Sequence, residues 1–61
     1  MFIVYSHEYA GYAFEYISSI TPQLVYLPEF SKATRFTENR ADEIAAHIRT
    51  ETGCRVDVLE I

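Results

Sequence analysis

The most constraining stretch of the sequence runs from Thr37 to Gly53. Ala41, Ile44, Ala45 and Ile48 recur at i, i+3, i+4 and i+7, the spacing of one buried helix face. Glu38, Asp42, Glu43, Arg49 and Glu51 occupy the other positions. Thr37 is a good N-cap, because its hydroxyl can accept from an unpaired first-turn amide. Phe36, just before it, is placed to pack on Ala41 as a hydrophobic staple. Gly53 supplies the left-handed residue that ends a helix. The spacing predicts a helix over 38–52. Its single apolar stripe needs one apolar surface opposite, and 61 residues leave no room for a second core.

The rest of the chain reads as that surface. Residues 2–6 are β-branched and aromatic, which suits a strand. In 12–17, Tyr12, Phe14 and Tyr16 alternate with Ala13, Glu15 and Ile17. Between them Ser6–Gly11 predicts a hairpin loop of several residues rather than a tight two-residue turn. Ser18-Ser19 and Thr21-Pro22 mark a break. Leu24–Leu27 reads either as a short strand ended by Pro28 or, within residues 19–31, as part of an ordered loop. Ala33–Phe36 reads as a short strand entering the helix. Cys54–Ile61 is the last strand, with Cys54, Val56 and Val58 toward the helix and Arg55, Asp57, Leu59 and Ile61 away from it. The expected fold is a single α+β domain, an antiparallel sheet of three to four strands with one α-helix on one face, in the order β-β-(β)-β-α-β. The uncovered face, with Leu59, Ile61 and one aromatic set of the hairpin, is open to a partner.

Charge is distributed unevenly. The formal net charge is −4, and residues 1–31 contain no Lys or Arg, only Glu8, Glu15 and Glu29. The same stretch holds eight of the nine aromatics, all but Phe36. Such a balance argues against duplex binding by phosphate neutralisation, which needs clustered bases. Tyrosine gives rigid contact area and a hydroxyl that tolerates a wet rim, as interface hot spots require. Tyr5, Tyr9, Tyr12, Tyr16 and Tyr26 cannot all be interior in so small a domain. Tyr12, Phe14 and Tyr16 read either as core or as a contact face. The expected partner-binding set is Tyr5, Glu8, Tyr9, Tyr12, Glu15, Tyr16 and Glu29.

Catalysis is not expected, and neither is a cofactor or metal. After His7-Glu8 the second histidine of a zincin would fall at Gly11. His47, four residues from both Glu43 and Glu51, reads as a solvent-facing helix salt bridge. Cys54 reads as a small core residue, and as a lone thiol it suits a reducing cytoplasm. Ser18 and Ser19 lack the glycines of a nucleophile elbow. Adjacent Asp42 and Glu43 diverge by about 100° around a helix, which is wrong for sharing a proton. No apolar run approaches the length of a membrane span or a signal peptide.

Ala33-Thr34-Arg35-Phe36-Thr37, followed by Ala41 and Ile44-Ala45, together with Gly11-Tyr12, resembles small phage-encoded accessory proteins. In these an Ala-x-x-Phe strand leads into one capped helix and a final strand. Some members, including certain anti-CRISPR proteins, act stoichiometrically on a host machine. The resemblance implies an inhibitor of a cytoplasmic bacterial host protein, a CRISPR effector or nuclease. In that setting Glu8, Glu15 and Glu29 among tyrosine hydroxyls are expected to mimic nucleic acid in a basic channel. A more distant likeness is to the strand-strand-strand-helix-strand antitoxin domain, whose Pro-Asp-Leu-Pro-Gly segment is not found here. The alternatives are a single-stranded nucleic-acid binder using Tyr stacking with Lys32, Arg35 and Arg40, and a self-associating structural protein, a homodimer through Leu59 and Ile61.

Overall fold

The computed structural model describes residues 1–18 and 21–61, with side chains described for 1–16 and 23–61. The elements are β1 (Phe2–Ser6), β2 (Gly11–Ser18), β3 (Thr21–Leu27), a 3-10 turn (Phe30–Lys32), α1 (Glu38–Thr52) and β4 (Val56–Glu60). The strands form one antiparallel sheet in the order β3-β2-β1-β4. The N-terminal strand is therefore central, and the C-terminal strand closes on it along all five residues of β1, from Phe2↔Glu60 to Ser6↔Val56. His7 N–H extends this ladder by one bond to the Arg55 carbonyl, at 3.1 Å.

The helix follows its sequence signals. Thr37 Oγ1 accepts from Arg40 N–H at 3.3 Å, and Gly53 sits at φ 68° with its N–H donating to the Arg49 carbonyl. Ala41, Ile44, Ala45 and Ile48 are buried and pack with Val4, Ala13, Phe36 and Val56. Phe2, Leu24, Tyr26 and Val58 pack around this cluster. The strand residues involved lie on one face, so α1 covers the face of Val4, Ala13 and Val56. The same burial corrects the reading of Tyr12, Phe14 and Tyr16 as core, since alternation sets them on the other face.

Two glycine-related features shape the first hairpin. The left-handed position at its end is occupied by Ala10, at φ 51°, not by Gly11. Gly11 is needed for space: a Cβ there would stand 3.0 Å from the Tyr26 carbonyl carbon and 3.1 Å from Leu27 N, tighter than normal contact. Inside the turn the fully buried Ser6 hydroxyl accepts from Tyr9 N–H at 3.3 Å.

Three expectations are corrected. Residues 24–27 belong to a longer strand, β3, that begins at Thr21 and pairs with β2 from Ser18↔Thr21 to Tyr12↔Leu27. The loop reading is therefore wrong, and of the break marked at 18–22 only Ser19 and Ile20 fall outside the described residues. Ala33–Phe36 is not a strand but a wedge. β1 and β2 register only at Tyr5↔Tyr12 and Ser6↔Gly11, and the wedge fills the gap beyond. Thr34 N–H donates to the Ala13 carbonyl at 3.1 Å, Thr34 Oγ1 accepts from Glu15 N–H at 2.8 Å, and Phe36 exchanges both backbone bonds with Phe2. Finally, β4 starts at Val56, so Cys54 precedes the strand. It is half-buried outside the core cluster, with its thiol 3.4 Å from a Glu8 carboxylate oxygen.

Candidate protein interface

The face of the sheet away from α1 is built by strand register. Across it run Asp57, Tyr5, Tyr12 and Leu27 in one row, since Tyr5 pairs with both Asp57 and Tyr12, and Tyr12 with Leu27. Phe14↔Val25, Tyr16↔Gln23 and Ile3↔Leu59 fill the rows beside it. The rings meet mostly edge to face, as their quadrupoles prefer. Tyr5 and Tyr12 lie 4.8 Å apart between centroids, Tyr5 and His7 5.1 Å, and Tyr12 and Phe30 of the 3-10 turn 5.7 Å. Phe14 and Tyr16 are tilted at 6.2 Å.

This face is sealed at Ile3, which is 1% exposed, and open around it. Tyr5, Tyr12, Phe14, Val25 and Leu27 are half-buried, while Tyr16, Leu59 and Phe30 are 38%, 41% and 53% exposed. The Tyr16 hydroxyl donates to Gln23 Oε1 at 3.1 Å, which fixes one edge of the patch. At the opposite edge His7 Nε2 stands 2.8 Å from Asp57 Oδ2, and Arg55 Nε 3.0 Å from Asp57 Oδ1. These contacts, His7 first and Arg55 second, hold the Asp57 carboxyl below its ordinary range. Polar groups thus flank an aromatic and aliphatic middle, the arrangement of a contact patch.

The seven expected binding residues do not form one surface. Tyr5, Tyr12 and Tyr16 share the open face. Tyr9 goes to the other side, stacked on Tyr26 with centroids 4.4 Å apart and planes within 20°. Burial raises the Tyr26 phenol above its ordinary pKa, helped by Tyr9 and then by Glu51. Glu15 also lies on the helix side, where Arg40 binds it at 2.6 Å and Glu43 at 2.7 Å. Glu29 pairs with Lys32 at 3.9 Å. Glu8, in the hairpin turn, accepts from the Cys54 thiol, and this contact raises the thiol pKa. The acids are thus dispersed, and two of the three are matched by bases from the second half of the chain.

Phe30, Val25 and Leu27 belong to the face and were not in the expected set. Alternation within 23–27 would have separated Val25 and Leu27 from Leu24 and Tyr26, given the register. On the helix side, α1 packs over β1 and β4 and leaves a cavity of about 400 Å³ beside β2 and β3, lined by Glu15, Leu24, Arg40, Glu43, Ile44 and His47. His47 itself pairs with Glu51 at 3.0 Å. Among the described residues no cluster of three His, Cys, Asp or Glu side chains is arranged to hold a metal ion. Among the described residues no helix is long and apolar enough to cross a membrane. The chain matches no protein-family model, no curated protein and no solved structure.

Proposed function

We propose that the chain is a stoichiometric binding protein that docks on another protein through the open aromatic face of its sheet. The observation that carries this reading is the row Tyr5-Tyr12-Leu27 with Phe14, Tyr16, Leu59 and Phe30 beside it. These large side chains, all but Phe30 aligned on paired strands, are half-buried at Tyr5, Tyr12, Phe14 and Leu27 and exposed at Tyr16, Leu59 and Phe30. Residues on paired strands lose little freedom when they dock, so their burial goes largely into affinity. The resemblance of Ala33–Thr37 to phage-encoded accessory proteins directs the choice of partner to a bacterial host protein that the chain inhibits, an anti-CRISPR or other anti-defence role in the host cytoplasm. The contact is aromatic rather than a mimic of nucleic acid, because Glu8, Glu15 and Glu29 do not converge. Stacking on single strands has less support, since Arg40 is already held by two carboxylates and Lys32 faces Glu29.

The test is inhibition and calorimetric binding with purified CRISPR effectors and nucleases, comparing Tyr12→Ala and Phe14→Ala with Ala46→Lys on the exposed side of α1. Loss of binding by about tenfold or more in the two face variants alone fits a hot-spot patch. Equal losses for all three variants, or retention of wild-type affinity by both face variants in a complex that does form, would refute it.

A further inference from the structure

The single helix is narrower than the four-stranded sheet beneath it. Because α1 packs over β1 and β4, a cleft remains between it and the other two strands. Beside the buried stripe of α1, Arg40, Glu43, Ile44 and His47 recur at i, i+3, i+4 and i+7 and line this cleft. From the sheet come Glu15 and Leu24, register partners on β2 and β3. At about 400 Å³ the space falls within the range of small-molecule sites.

The lining has two parts. Leu24, half-buried, and Ile44, buried, form an apolar wall. Beside it one guanidinium is shared by two carboxylates: Arg40 Nη2 donates to Glu15 Oε2 at 2.6 Å, and Nη1 to Glu43 Oε1 at 2.7 Å. Two carboxylates and one guanidinium leave a charge of −1. Glu15 carries its share in a partly dehydrated place, with its side chain only 21% exposed. The rest of α1 does not make up the deficit. Arg49, its other base, donates to the Val56 carbonyl at 3.0 Å, His47 is turned to Glu51, and Glu38 and Asp42 add acids. A concave lining with an excess of one sign concentrates the opposite sign.

We propose that the cleft binds an organic monocation, an ammonium or guanidinium group on a short apolar body. The head joins Glu15 and Glu43 beside Arg40 and brings the lining to neutrality, while the body lies on Leu24 and Ile44. An anion would meet two carboxylates and a guanidinium already engaged by both. A neutral apolar molecule would dehydrate the ionised groups and leave their charge unbalanced. The same head is carried by a free amine and by a lysine side chain of another protein, and two probes separate these sources. The cleft lies on the opposite side of the sheet from the aromatic face, so it does not depend on what docks there.

Pentylammonium and Nα-acetyl-lysinamide are titrated into the protein over the millimolar range at low salt, with the methyl signals of Leu24 and Ile44 followed by NMR. Saturable shifts are expected there and not at Leu59 on the open face. Tighter binding of pentylammonium assigns the cleft to a free amine, and tighter binding of the lysine derivative to a protein side chain. 1-Pentanol and pentanoate, of similar shape, should bind at least about fivefold more weakly, the weight of one unit charge at about 4 Å in water. Glu43→Gln should weaken cation binding by about the same factor. Arg40→Met, which removes the internal competitor, should tighten it about fivefold. The probe series needs only the wild-type chain, and thermal melts check that both variants fold. Absence of saturable shifts with both cations overturns the proposal. So does equal binding of pentanol, tighter binding of pentanoate, or weaker cation binding by a folded Arg40→Met.

Discussion

Thr34 offers a direct test of how the wedge holds the sheet together. Its hydroxyl accepts from Glu15 N–H at 2.8 Å, in place of the β1 carbonyl that a regular ladder would have supplied. Thr34→Val keeps the branched shape and removes only the acceptor. A partly buried N–H left without a partner costs about 1–2 kcal/mol, the lower part of the range for unsatisfied groups. Total stability for a chain of this length is roughly 3–9 kcal/mol, so the loss is a sizeable fraction. In urea, with a slope of about 1 kcal/mol per molar, the midpoint should fall by about 1–2 M at unchanged slope. The melting temperature should drop by roughly 4–16 °C. Thr34→Ser retains the hydroxyl and should lose much less. The Glu15 amide should exchange faster in the valine variant only. Equal stability of the valine variant and wild type would refute the idea that the wedge replaces strand pairing.

The other predictions concern the first hairpin and two ionisable groups. Gly11→Ala should destabilise the fold by about 1–3 kcal/mol through overpacking against Tyr26 and Leu27, whereas Ala10→Gly should stabilise it by up to about 1 kcal/mol by relieving a left-handed alanine; thermal melts decide both. Asp57 has a lowered carboxyl pKa in the fold, so its contribution is present above the ordinary carboxylate value near 3.9 and is lost as pH falls through the lowered one. Stability of the wild type should therefore exceed that of Asp57→Asn at neutral pH, and the two curves should converge in acid; curves that stay parallel would contradict this. Cys54 is held protonated by Glu8, so Glu8→Gln should speed alkylation of the thiol by iodoacetamide at pH 8, and an unchanged rate would show that the contact does not form in solution.

The helix was legible because cap, staple, buried stripe and terminal glycine all agree within the 18 residues from Phe36 to Gly53. β3 was harder to read, since Thr21-Pro22 looks like an interruption. On an edge strand whose proline nitrogen faces outward, no ladder bond is lost. The wedge was not legible at all. It depends on where β1 and β2 part, which neither strand encodes alone. For the binding face, alternation already placed Glu15 opposite Tyr12 and Tyr16, so one surface holding all three was inconsistent with the strand itself. The pairing of Glu15 with Arg40 spans 25 residues and follows only from the packing of α1.

The central position of β1 has a consequence for biosynthesis. Its hairpin partner holds it at two register positions, whereas β4, at Val56–Glu60, holds it at five. β1 therefore gains its main neighbour only after β2, β3 and α1 have been translated, because contacts so distant in sequence form late. Nascent chains stalled before Val56 should remain protease-sensitive at Phe2–Ser6, with the aromatic hairpin available to chaperones until β4 arrives.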